Sequence, residues 1–263
     1  MTTKVALKRI LSKVGRLRQP SIKRKIALIY HSLGESQWAV SERMFRAQME
    51  WLRASVKLVS LCELLEEDLD DALQVAITFD DGYASLHDSA ASVLYDVKTT
   101  ATVFLTTGCI DEISRNFTNA SKGHYPQERF LSWRDVDELV AAGWMVGSHG
   151  MDHIDLTEAT PEVARNQLGA SKRLIEQRLS RLCEYFAYTW GHHNINLEDL
   201  VRNAGYRYAF SGHHAPILPG SNHLAVPRIN VSNEYTMADF QSIIRGDWDY
   251  LGWIQKMKPW SRM

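Results

Sequence analysis

Two short stretches carry residues whose types and spacing could do chemistry: ITFDDGYAS at 77–85 and SHGMDH at 148–153. The first ends an apolar run with adjacent carboxylates, Asp80 and Asp81. Burying one unpartnered charge costs several kcal/mol and neighbouring like charges oppose each other, so a positive group must meet them. The second stretch supplies His149 and His153, four residues apart, a separation that places both imidazoles on one side of a helical or an extended backbone. Two imidazoles plus one carboxylate make a facial set that binds a divalent ion and leaves positions open on it. Such an ion is the positive partner the aspartates require. A lone HxxxH is more often solvated; its pairing with DDG at another strand end gives it weight.

The elements that must position these residues read as βα units around a parallel sheet. Seven near-continuously apolar runs, at 26–31, 75–79, 101–106, 144–149, 184–188, 206–211 and 225–231, have the composition of strands covered on both faces. Helical periodicity lies between and after them, at 41–53, 60–67, 86–97, 133–142, 161–180, 196–204 and 236–245. Ser132 and Thr160-Pro161 mark helix starts, and Gly143 and Gly205 mark stops. Segment 111–130 has no clear period and reads as a long surface loop. No linker or repeat divides the chain, so one domain is expected. Polar residues collect at the C-terminal strand ends, where a barrel of parallel strands builds its site: His31, Asp80, Asp81, His149, His153, Trp190, His192 and His193, with Arg228 inside the seventh strand.

TFDDGY (78–83) and GSHGMDHIDL (147–156) resemble the first two motifs of the polysaccharide deacetylases, the NodB-homology or carbohydrate esterase family 4 domain. With IYH (29–31), FLSWRDVDEL (130–139), FAYTWG (186–191) and VPRINV (226–231) they run along the chain in the expected order, and the pattern is most like the branch of poly-N-acetylglucosamine deacetylases. The resemblance implies an α/β fold, a distorted (β/α)7 barrel, with a divalent metal, usually zinc, although Co2+, Ni2+, Fe2+ or Mn2+ would suit the same ligands. It implies hydrolysis of an acetyl group from a sugar. Carried over by position, Asp81, His149 and His153 hold the metal, Asp80 is the general base, and the backbone N–H of Trp190 stabilises the oxyanion. Arg228 would orient Asp80 and keep it ionised, the alternative being an arginine snorkelling from an edge strand. Two departures stand out: Thr189-Trp190 replaces the usual Pro-Tyr, and no late LxH motif supplies the general acid. His31 is the expected acid, ahead of His192, His193, His213 and His214.

Composition bounds the remaining readings. The chain has 263 residues, 30 basic and 31 acidic, for a net charge of −1, which gives no electrostatic argument for nucleic acid. Cys62, Cys109 and Cys183 are too few and too scattered for a disulfide framework and read as thiols of a reducing compartment. Residues 1–25 form a basic amphipathic segment, 26–250 the barrel, and 251–263 a C-terminal tail. The segment lacks the features of a secretory signal, so a cytoplasmic location is expected, with residues 4–18 able either to meet an anionic membrane face or to pack on the domain. The Asn116-Phe117-Thr118 acceptor pattern is then a chance match.

The leading reading is a metal-dependent N-deacetylase of an amino-sugar glycan. The absence of an export signal shifts weight toward a nucleotide-linked or lipid-linked sugar. The alternatives are deacylation of a non-carbohydrate amide and a non-catalytic glycan-binding module. A phosphoryl-transfer enzyme fits less well, with neither a phosphate loop nor a second metal cluster in view. Oligomeric state is open.

Overall fold

The computed structural model describes residues 8–9, 11–12, 24–36, 39–66, 72–111 and 128–257. Its strands are β1 (Arg24–Tyr30), β2 (Ser32–Leu33), β3 (Ala39–Val40), β4 (Lys57–Leu58), β5 (Leu73–Phe79), β6 (Thr102–Leu105), β7 (Met145–Ser148), β8 (Tyr185–Ala187), β9 (Tyr208–Phe210) and β10 (Ile229–Asn230). The helices are α1 (Glu42–Ser55), α2 (Leu61–Glu66), α3 (Ala91–Asp96, entered through a π-helical turn at Leu86–Ala90), α4 (Trp133–Ala141), α5 (Pro161–Leu179), α6 (Ile195–Asn203), α7 (Met237–Arg245) and α8 (Tyr250–Met257).

The main sheet runs β10-β1-β5-β6-β7-β8-β9, with β4 added beside β5, and its ladders are parallel. Every residue of β1 is buried, as a strand covered on both faces requires. The sheet curls back on itself: Phe210 of β9 bridges Val226 in parallel, three residues before β10 pairs with β1. The expected seventh strand, 225–231, therefore divides its hydrogen bonds between two neighbours, and its regular part shrinks to two residues.

The interior of the curl is filled by Ala27, Ala76, Phe104, Tyr185, Ala187, Tyr208, Phe210 and Val226. Val59, Leu61, Leu64 and Ile217 close its N-terminal end, where Val59 N–H donates to Val75 and Ile217 N–H donates to Lys25. A second, larger core lies between the sheet and its helices. Caps agree with the sequence signals. Ser132 and Asp135 form a reciprocal capping box on α4, and the Thr160 hydroxyl accepts Val163 N–H at the start of α5.

Three stretches differ from expectation. β4 and the β2–β3 pair are too short to carry a periodic signal. Residues 251–257, expected as tail, are helical and complete α8, which the Arg24–Asp249 ion pair anchors at 2.7 Å. Most of the basic N-terminal segment lies outside the described residues, but Lys8 and Arg9 are described: Arg9 pairs with Asp239, and the Lys8 carbonyl accepts from Tyr250. Those two residues pack on the domain. No helix among the described residues is long and apolar enough to cross a membrane. Cys109 and Cys183 are buried, and burial pushes the Cys183 thiol up to about 12, which keeps it protonated and inert.

Candidate active site

The C-terminal ends of the strands bring the predicted residues into one cavity of about 240 Å³, lined by His31, Asp80, Asp81, His149, His153, Trp190 and Arg228, with Ile29, Gly191, Gly212, Asn230 and Gln255. Asp80 leaves β5 with its N–H on the Tyr30 carbonyl. Asp81 then adopts φ 72°, a left-handed conformation that non-glycine residues rarely take, and Gly82 continues at φ 88°. The reversal turns the two carboxylates in different directions. A side chain at Gly82 would also strike Leu105, its Cβ standing 2.9 Å from Leu105 Cδ2.

The Asp80 carboxylate meets Arg228 in a two-pronged pair, Nη1 to Oδ1 and Nη2 to Oδ2, both at 2.7 Å. Arg228 also donates to Thr78 and to the Ser211 carbonyl, and its guanidinium lies over the rings of Phe104 and Phe210. It rises through the aromatic interior of the curl and is buried, which disposes of the snorkelling alternative. Burial alone would push the Asp80 carboxyl up, but Arg228, with help from His149 and His31, holds it below the usual carboxylate value. The group is an anion with two oxygens already placed.

Asp81 faces the histidines. Its Oδ1 lies 3.2 Å from His153 Nε2 and 3.6 Å from His149 Nε2, and one donor atom from each residue falls within 4.8 Å of the others. His149 Nδ1 is 2.8 Å from the Ala187 carbonyl oxygen. A carbonyl only accepts, so Nδ1 carries the hydrogen and Nε2 turns its lone pair toward Asp81, the tautomer a metal ligand needs. Burial lowers the His149 pKa despite the nearby aspartates, which keeps the ring neutral. One carboxylate and two imidazoles, all buried, fit a divalent transition ion such as zinc. The loop that spaces the histidines is pinned from α5: Gln167 Oε1 accepts the N–H groups of Met151 and Asp152, and Gln167 Nε2 donates to Asp152. His153 itself has φ 53°.

Trp190 sits in the 3-10 turn Thr189–Gly191 with φ 60°; the residue is 42% exposed and its ring lies 5.0 Å from the His153 ring. The turn is tied twice to the chain that follows His153: the Thr189 hydroxyl donates to the Ile154 carbonyl, and His192 Nδ1 lies 2.6 Å from Asp155 Oδ2. Thr189, which departs from the motif's proline, thus replaces ring rigidity with a hydrogen bond. Of the histidines weighed as acid, His31 lines the cavity, whereas His192, His193, His213 and His214 do not. His193 is taken by Glu198, and His214 is buried, its pKa lowered by that burial to about 3.

Sequence reading missed Asn230, Gly212 and Gln255. Asn230 lies in the expected strand 225–231, from which only Arg228 is singled out, and Gln255 lies in the expected tail. Of the expected loop 111–130, residues 112–127 fall outside the described set; at its end Phe130 bridges and stacks on Tyr83, and Glu128 accepts from Ser32.

The family model described as polysaccharide deacetylase matches residues 70–209, more than half of the chain, and spans both the DDG and the HxxxH stretches. The chain belongs to the polysaccharide deacetylase family. It is 27% identical over 237 residues to the poly-beta-1,6-N-acetyl-D-glucosamine N-deacetylase of Staphylococcus epidermidis, covering 85% of this chain and 77% of that one. With the protein of that description from Staphylococcus aureus strain MRSA252 it shares 25% identity over 210 residues, 75% of this chain and 69% of the relative. Among solved structures it matches IcaB from Ammonifex degensii at a TM-score of 0.74 and 23% identity, over 86% of this chain and 97% of that chain. The Streptococcus pyogenes deacetylase PplD matches at 0.70 and 18%, over 90% and 99%. The structural matches bear on the fold, a curled parallel sheet of the NodB type, as the sequence motifs imply.

Proposed function

We propose that the chain is a metal-dependent hydrolase that removes the N-acetyl group from an amino-sugar glycan. The observation that carries the reading is the contrast between adjacent carboxylates: Asp80 is held ionised by Arg228 while Asp81 joins two imidazoles in a buried ligand set. Asp81, His149 and His153 would hold the ion, for which zinc suits the donors best. A divalent ion bound there supplies Lewis-acid activation of water and of the acyl oxygen.

The protein's own groups do the rest. Each Asp80 oxygen spends one lone pair on Arg228 and keeps another, so the carboxylate can take the proton of an attacking water while Arg228 fixes its orientation. The turn at Trp190 directs backbone N–H toward the developing oxyanion, the kind of donor whose loss costs about 10²–10³ in rate. His31 delivers a proton to the departing sugar amine. The cavity, about 240 Å³, is smaller than the ~300 Å³ that begins the range for drug-sized ligands. It suits the acetylated sugar itself, with the neighbouring sugars of the glycan outside.

The test is metal analysis followed by acetate release from N-acetylglucosamine oligomers by wild type, Asp80→Asn and His149→Ala. Wild type binds metal and releases acetate, Asp80→Asn keeps the metal and loses about 10²–10⁴ in rate, and His149→Ala loses both. Metal bound by a wild type that releases acetate from no N-acetyl sugar defeats the proposal, and tight glycan binding without turnover would favour a binding module.

A further inference from the structure

One wall of the cavity plays no part in the chemistry above. Gln255 lines it from α8, which begins well past residue 209, where the family match ends. Gln255 Oε1 accepts the backbone N–H of His214 at 2.7 Å. An amide presents its oxygen on one side and its NH2 on the other, and a backbone N–H only donates, so the oxygen belongs on the His214 side. The NH2 is turned away from His214 and has no hydrogen-bond partner among the described residues.

The seat of α8 is tight. A Cβ at Gly252 would stand 2.2 Å from the His214 carbonyl oxygen, so only glycine lets the helix approach this closely. Ahead of the helix, Asp249 accepts two hydrogen bonds from Arg24, at 2.7 and 2.9 Å. Gln255 therefore projects from a fixed element into the cleft.

The charge of the cleft narrows what it can meet. Among the lining residues the one guanidinium, Arg228, is committed to Asp80, Thr78 and Ser211. Among the described residues the other polar lining side chains, apart from the imidazoles and the Trp190 indole N–H, are Asp80, Asp81, Asn230 and Gln255. Beyond an ion on Asp81, His149 and His153, a phosphate or diphosphate seated there would find no uncommitted guanidinium or ammonium among the described lining residues. A hydroxyl would meet an amide donor.

Building on the deacetylase reading, we propose that Gln255 is a substrate-binding residue that donates its amide N–H to a hydroxyl oxygen of an uncharged amino-sugar glycan, which makes α8 part of the specificity site. The decisive variant is Gln255→Glu, whose carboxylate can still accept the His214 N–H and so keeps the seat while losing the donor. Gln255→Leu controls for the added charge, and Gly252→Ala displaces the helix without touching the amide. In the metal-loaded enzyme all three are expected to raise KM for N-acetylglucosamine oligomers about tenfold, with kcat within about twofold and metal content unchanged. A nucleotide-diphosphate-linked N-acetyl sugar is expected to be a poorer substrate than the oligomer. An unchanged KM in Gln255→Glu and Gln255→Leu, or equal use of the nucleotide-linked sugar, overturns the inference and leaves the deacetylase reading standing. If wild type releases no acetate, that reading falls and calorimetry with the same oligomers decides the inference. Weaker binding by Gln255→Glu supports it, and equal binding or none overturns it.

Discussion

The two ends of the barrel are built to opposite rules. At the N-terminal end of the strands Val59, Leu61, Leu64 and Ile217 form a dry plug on Ala27 and Ala76. At the C-terminal end Asp80, Asp81, His149, His153 and Arg228 are buried and charged or chargeable. The difference teaches that a closed floor leaves the charged end only its own partners. Because the interior below Arg228 is aromatic and closed, the guanidinium has no water to turn to and is committed to Asp80, Thr78 and Ser211. An ion pair so placed is expensive to bury and more expensive to break.

The sharpest way to test the contrast is a double-mutant cycle at the charged end. Arg228→Met leaves Asp80 buried without its partner and is expected to cost about 3–5 kcal/mol in urea unfolding and to abolish turnover. Adding Asp80→Asn should return most of that stability while activity stays absent, as expected if the pair serves the chemistry and not the fold. A double variant as unstable as the single would mean that the pair is structural.

At the plug the expectation reverses. Leu64 is fully buried, so Leu64→Ala should lower stability by about 2–5 kcal/mol while kcat per folded molecule is unchanged. A fall in kcat at a temperature where the variant is fully folded would show that the two ends are coupled.

The segment 212–217 joins the two ends, from Gly212 at the cleft to Ile217 at the plug, and carries His214 between them. Burial lowers the His214 pKa to about 3 from an ordinary 6.5. The unfolded chain therefore takes up this proton first, so the contribution of the neutral ring is complete above pH 6.5 and declines as pH falls toward 3. Between pH 7 and 5 the loss is about 2 kcal/mol, and His214→Gln should flatten that part of the stability profile. An identical acid profile in the variant would locate the proton elsewhere.

The smallest effect is expected at the tether between the loops. Thr189→Val removes the bond to the Ile154 carbonyl and should slow acetate release about tenfold with metal affinity unchanged. A loss of metal would show that the tether supports the ligand loop and not the turn at Trp190.

How legible each end was in the sequence follows from the same physics. Strands buried on both faces, such as β1 and β5, announce themselves as apolar runs, and DDG and SHGMDH stand out because charges at the end of such runs need a reason. β10 was drawn too long because a segment that changes neighbours keeps its apolar residues while losing its ladder. α8 was missed because its placement depends on a glycine pressed against a carbonyl and on an Arg24–Asp249 pair 225 residues apart in sequence, neither of which leaves a local pattern. At Trp190 the residue type is visible in the sequence, but its left-handed backbone is not.

The divided seventh strand also orders events in time. Asp80, Asp81, His149 and His153 are all synthesised before Arg228, which lies 148 residues after Asp80 and beside the Phe210–Val226 seam that shuts the curl. A chain growing from its N-terminus can bring Asp81, His149 and His153 together early, yet Asp80 has no arginine to pair with until Arg228 arrives. The seam that shuts the curl thus also completes the Asp80–Arg228 pair, and any chemistry that depends on that pair waits for it.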